Sequence, residues 1–287
     1  MPIPPPFRAR LAQISPRLGD VQANLDMHLA AGEEAVRDGV DLLVFPELSL
    51  TGYYLRDLTA DVALSLDSAP VRQLLELSRR ISVVVGMVEE GERFSLFASA
   101  LYLEGGEVAH VHRKVYLPTY GMFDEGRYFS EGRSVRAFDT RFGRMGLLVC
   151  EDVWHPVLPY ILAQDGMSSL IVTANSPTRG PRPDGLAIAR SYDAMLRSYA
   201  NLLQCWVLFC NRVGYEDGVS FWGGSCVCTP SGEVTAQAAV LQLANLDVEV
   251  NLLEVRHARM AAPLVEEEDL DLALRELGRI RDERSGH

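Results

Sequence analysis

Hydrophobic and polar positions predict strands that alternate with helices through the first half of the chain. The run DLLVF at 41–45 is almost entirely apolar, which is typical of a strand buried on both faces. Two glycines at 105–106 separate two strand-like segments and predict a β-hairpin. The pattern predicts strands at 8–14, 41–45, 81–88, 94–103 and 107–112 and helices at 20–37 and 70–80.

The second half of the chain repeats this order. Asp184 is the expected N-cap of a long helix rich in alanine, leucine and tyrosine. No repeat period or interdomain linker is evident, and hairpins are interleaved with the strand–helix units. We therefore predict a mixed α/β fold, with large mixed sheets covered by helices, in a single domain over residues 1–262. The predicted strands are 145–149, 170–173, 206–211, 225–229, 233–237 and 244–250, and the predicted helices are 157–164 and 184–204.

The C-terminal segment 263–287 is predicted to form a separate tail helix. Leu270, Leu274 and Leu277 share one face of such a helix. The segment has an acid-rich start and an arginine-rich end, an order that suits the helix dipole. Two interpretations are open: the tail docks on its own domain, or it contacts the second subunit of a dimer.

Composition and charge exclude several classes of partner. The chain has 287 residues, 27 Lys and Arg against 39 Asp and Glu, and a formal charge of -12. An acidic protein lacks the basic face that nucleic acid or an anionic membrane requires. No apolar run approaches the roughly 18 residues of a membrane helix, and the N-terminal prolines argue against a secretory signal. Five cysteines with mostly apolar neighbours indicate a reducing compartment, so we expect a cytoplasmic protein.

Reactive side chains stand at the ends of three predicted strands. Glu47 comes after DLLVF, Lys114 follows EVAHVHR, and Cys150 ends the strand MGLLV. Ligands in sheets of this kind bind beyond the carboxyl ends of the strands, which makes these residues site candidates. Together they suffice for thiol-mediated acyl transfer. The glutamate accepts the thiol proton, the thiolate attacks, and the lysine stabilises the oxyanion.

Each of these residues also has a purely structural interpretation. A glutamate after Phe-Pro is commonly a surface or capping group, a lysine after His-Arg commonly belongs to a solvated turn, and a strand-end cysteine is commonly buried and inert. His110 and His112 share a strand face without a third ligand, so no metal site is expected. The chain contains no G-x-S-x-G, no G-x-x-x-x-G-K-[ST] and no G-x-G-x-x-G motif, so a serine nucleophile or a nucleotide cofactor has no support.

The segments around these residues resemble the nitrilase (carbon–nitrogen hydrolase) superfamily. The resemblance implies a four-layer αββα sandwich that forms a homodimer or higher oligomer, without metal or organic cofactor. It implies that Glu47 is the general base, Lys114 the oxyanion-stabilising cation and Cys150 the nucleophile that forms a thioester. The backbone N–H of Glu151 would complete the oxyanion hole. The matching motifs are FPELSLTGY at 45–53, HRKVYLP at 112–118, LLVCEDVW at 147–154 and NRVGYEDGVSFWGGS at 211–225.

A narrower resemblance joins the chain to the glutaminase domain of glutamine-dependent NAD synthetase. It rests on FPELSLTGYYLRDL, LPTYGMFDEGRYF and CEDVWHP. It implies that Tyr53 and Tyr120 wall the substrate pocket. It also implies that Glu125 steers Lys114 and the substrate's ammonium, and that Ser176 contacts the substrate. The S-G-G-x-D-S loop of the synthetase half does not occur here, and residues 211–232 look more like aliphatic amidases and carbamoylases.

The leading hypothesis is a hydrolase that cleaves the C–N bond of a small carboxamide, with glutamine or a related ω-amide as first candidate. Such an enzyme would either pass ammonia to a separate synthetase partner or act independently. Other substrates within the enzyme class are non-glutamine aliphatic amides, N-carbamoyl amines and nitriles. A catalytically idle structural or regulatory subunit is the alternative from another class, and the intact Glu47, Lys114 and Cys150 argue against it.

Overall fold

The computed structural model describes residues 3–183 and 185–286. These residues form two six-stranded sheets, two two-stranded sheets and six α-helices. The strands are Phe7–Gln13 (β1), Leu42–Val44 (β2), Ser82–Glu90 (β3), Leu96–Glu104 (β4), Glu107–Arg113 (β5), Phe138–Thr140 (β6), Gly143–Val149 (β7), Ser169–Ala174 (β8), Pro181–Arg182 (β9), Gly185–Leu186 (β10), Trp206–Asn211 (β11), Val213–Glu216 (β12), Val219–Trp222 (β13), Cys226–Cys228 (β14), Val234–Gln237 (β15) and Ala244–Val250 (β16). The α-helices are Val21–Arg37 (α1), Ala69–Ser78 (α2), Val157–Gln164 (α3), Ala187–Leu202 (α4), Leu252–Ala261 (α5) and Leu270–Arg284 (α6). Short 3-10 helices lie at Arg56–Thr59, Glu92–Phe94, Glu125–Arg127 and Cys150–Trp154.

Each large sheet has a parallel centre with antiparallel strands at its edges. The first sheet has the order β16-β1-β2-β3-β4-β5, in which β1, β2 and β3 are parallel. The second has the order β15-β14-β11-β8-β7-β6, in which β11, β8 and β7 are parallel. Because parallel strands end at the same edge of a sheet, the segments that follow β7 and β8 lie side by side in the second sheet. The segment that follows β2 of the first sheet meets them across the interface, where Asn175 N donates to Glu47.

The two sheets pack face to face and carry helices on their outer faces. Strands β1, β4 and β5 contact β11 and β7 across the interface, which buries Leu11, Val44 and Val84 of the first sheet with the second sheet's apolar residues. Helices α1 and α2 cover the other face of the first sheet, and α3 and α4 pack on the second. The predicted αββα sandwich is confirmed, and its central interface is the main hydrophobic core.

The predicted strands and long helices are present with boundaries that shift by a few residues. The helix expected at 184–204 is α4, but its predicted cap Asp184 lies outside the described residues. The hairpin β12–β13 and helix α5 were not predicted. Gly214 and Gly218, both at positive φ, interrupt the strand pattern of the hairpin. Helix α5 buries only its Leu252 and Val255, too few apolar residues to form a helical stripe.

The tail forms helix α6, which buries none of its residues. Asp269 caps it by accepting from the backbone N–H of Leu272 at 2.9 Å. Leu274 and Leu277, which share the predicted apolar face, are 69% and 58% exposed. Whether the tail contacts a second subunit stays a prediction. In the described part of the chain, no helix is long and apolar enough to cross a membrane.

Gly86 of β3 brings the segment after β2 unusually close to the first sheet. The backbone N–H of Leu50 donates to Gly86 O at 3.0 Å, and Leu48 has a positive φ of 45°. A Cβ added to Gly86 would lie 2.3 Å from Leu48 N and 2.8 Å from Pro46 O. These neighbours are backbone atoms that belong to the segment carrying Glu47, so a side chain at position 86 would displace that segment.

Gly86→Ala is therefore expected to lower the free energy of unfolding by about 1–3 kcal/mol, the usual cost of overpacking. Urea denaturation followed by circular dichroism measures this change. The matched control is Gly278→Ala in α6, where an added Cβ meets nothing within 4 Å. That substitution should leave stability equal or slightly higher, since alanine favours a helix interior. Equal stability of Gly86→Ala and the unchanged protein would contradict the close backbone approach.

Candidate active site

Glu47 lies buried between the two sheets, just beyond the end of β2. Its side chain is 1% exposed. Oε1 accepts from Lys114 Nζ at 2.8 Å, and Oε2 accepts from the backbone N–H of Asn175 at 2.8 Å. Asn175 directly follows β8 of the second sheet. The carboxylate is therefore held from both sheets at once.

Lys114 directly follows β5, and its ammonium is completely enclosed by protein. The strand ladder continues through its backbone, because Lys114 N donates to Ala98 O at 2.9 Å. Its Nζ lies 2.8 Å from Glu47 Oε1 and 2.8 Å from Glu125 Oε1. Burial acts to lower the pKa of this ammonium, but the charges of Glu125 and Glu47 together outweigh that effect. The net result is a pKa well above that of an ordinary lysine, so Lys114 stays positively charged.

Cys150 is the first residue of the 3-10 helix that directly follows β7, and its backbone is strained. Its φ is 48°, in the left-handed region that non-glycine residues rarely adopt. The residue is 8% exposed, and its Sγ lies 3.8 Å from Tyr192 Oη. Burial raises the pKa of the thiol, Glu47 raises it further, and Lys114 only partly offsets both effects. The thiol is therefore protonated at rest and needs a base to become a nucleophile.

Asp152 joins the Lys114 strand to the Cys150 turn. It is completely buried, and its Oδ1 accepts from the backbone N–H groups of Val115 and Tyr116 at 3.0 and 2.9 Å. Its Oδ2 lies 2.8 Å from His112 Nε2 and accepts from Val149 N at 3.2 Å. Charge-assisted hydrogen bonds of this kind are stronger than neutral ones. One carboxylate thus fastens the end of β5 to the end of β7.

Glu125 shares the ammonium of Lys114 with Glu47. Tyr53 Oη donates to Glu125 Oε1 at 2.6 Å. Burial and the nearby charge of Glu47 raise the pKa of Glu125, Lys114 acts against them, and the result is about 7. The Oε2 of Glu125 also lies 2.8 Å from Lys114 Nζ, so both oxygens of this buried carboxylate face the ammonium.

The remaining predicted site residues lie in two further groups. Tyr120 is 53% exposed, and its hydroxyl donates to the Glu151 carboxylate at 2.9 and 3.0 Å. Ser176 is buried, and its Oγ accepts from Trp222 Nε1 at 3.0 Å. The structure therefore brings Tyr53 into the cluster around Lys114. Tyr120 pairs with the side chain of Glu151 instead.

Two cavities flank the buried cluster. One of about 400 Å³ is lined by Tyr53, Tyr54, Arg56, Thr59, Met122, Phe123, Asp124, Glu125, Arg127 and Tyr128. A second, of about 260 Å³, is lined by Val115, Tyr116, Leu117, Pro118, Thr119, Tyr120, Glu131, Glu151 and His155. The first is lined by Tyr53 and Glu125 of the cluster, and the second lies against the turn that follows Cys150.

The arrangement combines a protonated thiol, a fixed carboxylate and a charged ammonium in one buried site. Such a set can remove the thiol proton and neutralise an oxyanion. In residues 3–183 and 185–286, no group of three or more His, Cys, Asp or Glu side chains could hold a metal ion.

Comparison with known proteins identifies the family. The carbon-nitrogen hydrolase family model matches residues 8–260. The chain belongs to the carbon–nitrogen hydrolase family. A glutamine-dependent NAD(+) synthetase of Thermotoga maritima is 30% identical over 287 residues, which cover 98% of this chain and 49% of the relative. A probable nitrilase of Schizosaccharomyces pombe is 28% identical over 231 residues, which cover 77% of this chain and 80% of the relative.

A solved structure extends the comparison to the fold. The glutamine-dependent NAD+ synthetase of Acinetobacter baumannii, in complex with ADP, matches with a TM-score of 0.77 and 28% identity. The match covers 86% of this chain and 46% of that chain. This carbon–nitrogen hydrolase therefore spans about half the length of the NAD+ synthetases that it matches. The resemblance seen in the motifs is confirmed.

Three buried residues of the hydrolase site were not found from the sequence. Asp152 lies two positions after Cys150, and its acidic side chain at that position is the one feature of the sequence that could have marked it as a site residue. Asn175 precedes the predicted Ser176, but nothing in the pattern shows that its backbone N–H fixes Glu47. Tyr192 lies on α4, where it fits an ordinary core position. Each acts through contacts between distant segments, which local patterns do not reveal.

Glu125→Gln is expected to change how stability depends on pH. The pKa of Glu125 is about 7 in the folded protein, above its ordinary value of 4.5. The unfolded chain therefore loses this proton first, and the stabilising contribution falls as pH rises between those two values. Glutamine does not ionise, so the variant should lack this decline, which amounts to roughly 3 kcal/mol at most.

Urea denaturation from about pH 4.5 to about pH 8 measures the difference in unfolding free energy between the two proteins. The unchanged protein should lose stability relative to Glu125→Gln as pH rises. The control is Glu107→Gln, which removes a carboxylate exposed to solvent on β5. A difference that stays constant with pH for Glu125→Gln would contradict the raised pKa.

Proposed function

We propose that this carbon–nitrogen hydrolase cleaves the amide of glutamine or a related ω-amide through a thioester on Cys150. The observation that carries the proposal is the Lys114 ammonium held at 2.8 Å from both Glu47 and Glu125, within the same buried site as the thiol. A thiol whose pKa is raised by burial requires a nearby base, and Glu47 is the fixed carboxylate that can serve. Glu47, Lys114 and Cys150 are the catalytic residues of this proposal.

Acylation begins with transfer of the thiol proton from Cys150 to Glu47. The sulfur attacks the amide carbon, and a carbon–sulfur bond forms while the carbonyl oxygen becomes an oxyanion. Lys114 and the backbone N–H of Glu151 stabilise that oxyanion. Glu47 then returns the proton to the amide nitrogen, the carbon–nitrogen bond breaks, and ammonia leaves. The acyl group remains on sulfur as a thioester.

Deacylation reuses the same base. Glu47 takes a proton from water, and the resulting hydroxide adds to the thioester carbon. The carbon–sulfur bond breaks, the carboxylic acid is released, and the proton returns to the Cys150 thiolate. One carboxylate serves both steps, so ammonia must leave before water reacts.

The groups around Glu125 support an amino-acid amide as substrate. The Glu125 carboxylate would accept from the substrate's ammonium, and the hydrogen bond from Tyr53 would hold its Oε1 in place. Tyr53 and Tyr120 would wall the pocket, and Ser176 is the weaker candidate for a substrate contact. The relatives named glutamine-dependent NAD+ synthetases favour glutamine within this class.

The same relatives support a proposal about the partner of the reaction. This chain corresponds to about half of the matching NAD+ synthetases. We therefore propose that ammonia released at Cys150 is passed to a synthetase partner. We also propose, from the resemblance of the motifs alone, that the hydrolase acts as a homodimer or higher oligomer. Activity that rises when an ATP-binding partner is added supports the transfer of ammonia, whereas full turnover by the hydrolase alone contradicts it.

A screen for ammonia release tests the proposed reaction. The panel contains glutamine, asparagine, other ω-amides, N-carbamoyl amines and simple nitriles, and we expect glutamine or an ω-amide to be turned over best. The best substrate should add its acyl mass to Cys150. Cys150→Ala should abolish turnover and this adduct without altering the circular dichroism spectrum. Adducts on the buried Cys205 or Cys210 instead would contradict the assigned nucleophile.

Glu47→Gln is expected to slow both half-reactions by about 100-fold or more, the usual contribution of a general base. Rapid-quench mass spectrometry of Cys150 follows formation and decay of the thioester separately. Glu104→Gln is the control, because Glu104 is another partly buried glutamate that accepts hydrogen bonds from Ser82 and Tyr102. Near-normal activity of Glu47→Gln would move the base elsewhere, with Glu125 the next candidate.

A further inference from the structure

A tyrosine hydroxyl lies directly beside the proposed nucleophile. Tyr192 projects from helix α4, is 2% exposed, and places its Oη 3.8 Å from Cys150 Sγ. This distance is within the range of hydrogen bonds that involve sulfur. Neither the motifs nor the comparisons assign this residue a role.

Few hydrogen-bond donors are available to the sulfur of Cys150. Lys114, the nearest full positive charge, already lies 2.8 Å from the carboxylates of Glu47 and Glu125. Both carboxylates disfavour a negative charge on the sulfur. The backbone N–H of Asn175 acts in the favourable direction but also donates to Glu47. A thiolate formed here therefore needs a further hydrogen-bond donor.

Packing holds the ring of Tyr192 so that its hydroxyl faces the sulfur of Cys150. Either group can donate while the thiol keeps its proton, but a thiolate can only accept, so the hydroxyl must donate once that proton has left. The ring is held by stacking on Phe209 at 4.7 Å between centroids and by an edge contact with Trp154 at 5.2 Å.

We propose that Tyr192 is a catalytic residue whose O–H donates to the Cys150 sulfur as the thiol loses its proton. The inference rests on the proposed function, because it assumes that Cys150 is the nucleophile. The proton of the thiol goes to Glu47, and Tyr192 keeps its own proton throughout. No covalent bond of Tyr192 breaks. Its hydrogen bond strengthens when charge gathers on the sulfur and weakens when the thioester forms.

Tyr192→Phe separates this role from simple core packing, because it keeps the ring and removes only the hydroxyl. The readout is the pH profile of Cys150 modification by methyl methanethiosulfonate, which reacts with the thiolate, located by mass spectrometry. The thiolate population at a given pH should fall about tenfold, as expected for loss of a hydrogen bond to a charged group. The turnover number should fall by a similar factor, with KM changed less than about twofold.

Two further variants keep the test decisive. Trp154→Leu removes the aromatic edge contact that holds the ring of Tyr192 and should shift the profile in the same direction by a smaller amount. Tyr102→Phe is the matched control, a buried tyrosine in the first sheet whose Oη donates to Glu104. An unchanged profile in Tyr192→Phe, or an equal shift in Tyr102→Phe, would overturn the inference.

The outcomes also separate this inference from the proposed function. If Cys150→Ala is inactive while Tyr192→Phe leaves the modification profile unchanged, the nucleophile stands and only the role of Tyr192 is wrong. If Cys150→Ala keeps full turnover, the proposed function fails whatever Tyr192 does. The thiol titration itself does not depend on knowing the substrate.

Discussion

The buried ammonium of Lys114 is the constraint on which the rest of the site depends. Removing a charged group from water costs several kcal/mol, and only close opposite charges and hydrogen bonds offset that cost. Lys114 meets this requirement with Glu47 and Glu125, each at 2.8 Å. Glu47 is tied in turn to Asn175 of the second sheet. The need to compensate one buried charge thus joins three distant segments of the chain.

Two carboxylates around one ammonium leave the cluster negative beside the thiol. Burial raises the pKa of Cys150 most, these carboxylates raise it further, and the lysine in the same site only partly offsets them. In the proposed reaction, attack by the thiol is therefore coupled to proton transfer rather than to a preformed thiolate. The raised pKa of Glu125, about 7, limits the excess negative charge, because a shared proton there reduces the repulsion.

The sequence predicted the fold and the strand-end residues because both leave local signals. Apolar runs mark strands with a parallel centre, and Glu47, Lys114 and Cys150 follow such runs directly. Tyr192 and Asp152 escaped prediction because their partners are distant: Tyr192 meets Cys150 across 42 positions, and Asp152 meets His112 across 40. Tyr120 lies in a segment that resembles the family, yet the residue is half-exposed and its hydroxyl donates to the side chain of Glu151.

The residues proposed for catalysis and those proposed for substrate binding lie on different parts of the fold. The first sheet supplies Glu47 and Lys114, the second supplies Cys150, and the fully buried Asp152 fastens them through backbone N–H groups. These contacts lie in the sheet interface, where close packing resists displacement. Tyr53, Tyr120 and Glu125 lie on the connecting segments instead. The half-exposed Tyr120 can change without disturbing the core, whereas Tyr53 and Glu125 are buried and tied to Lys114. In the proposed reaction, substrate choice is therefore expected to vary most with exposed residues of these segments, whereas attack by the thiol depends on the contact between the sheets.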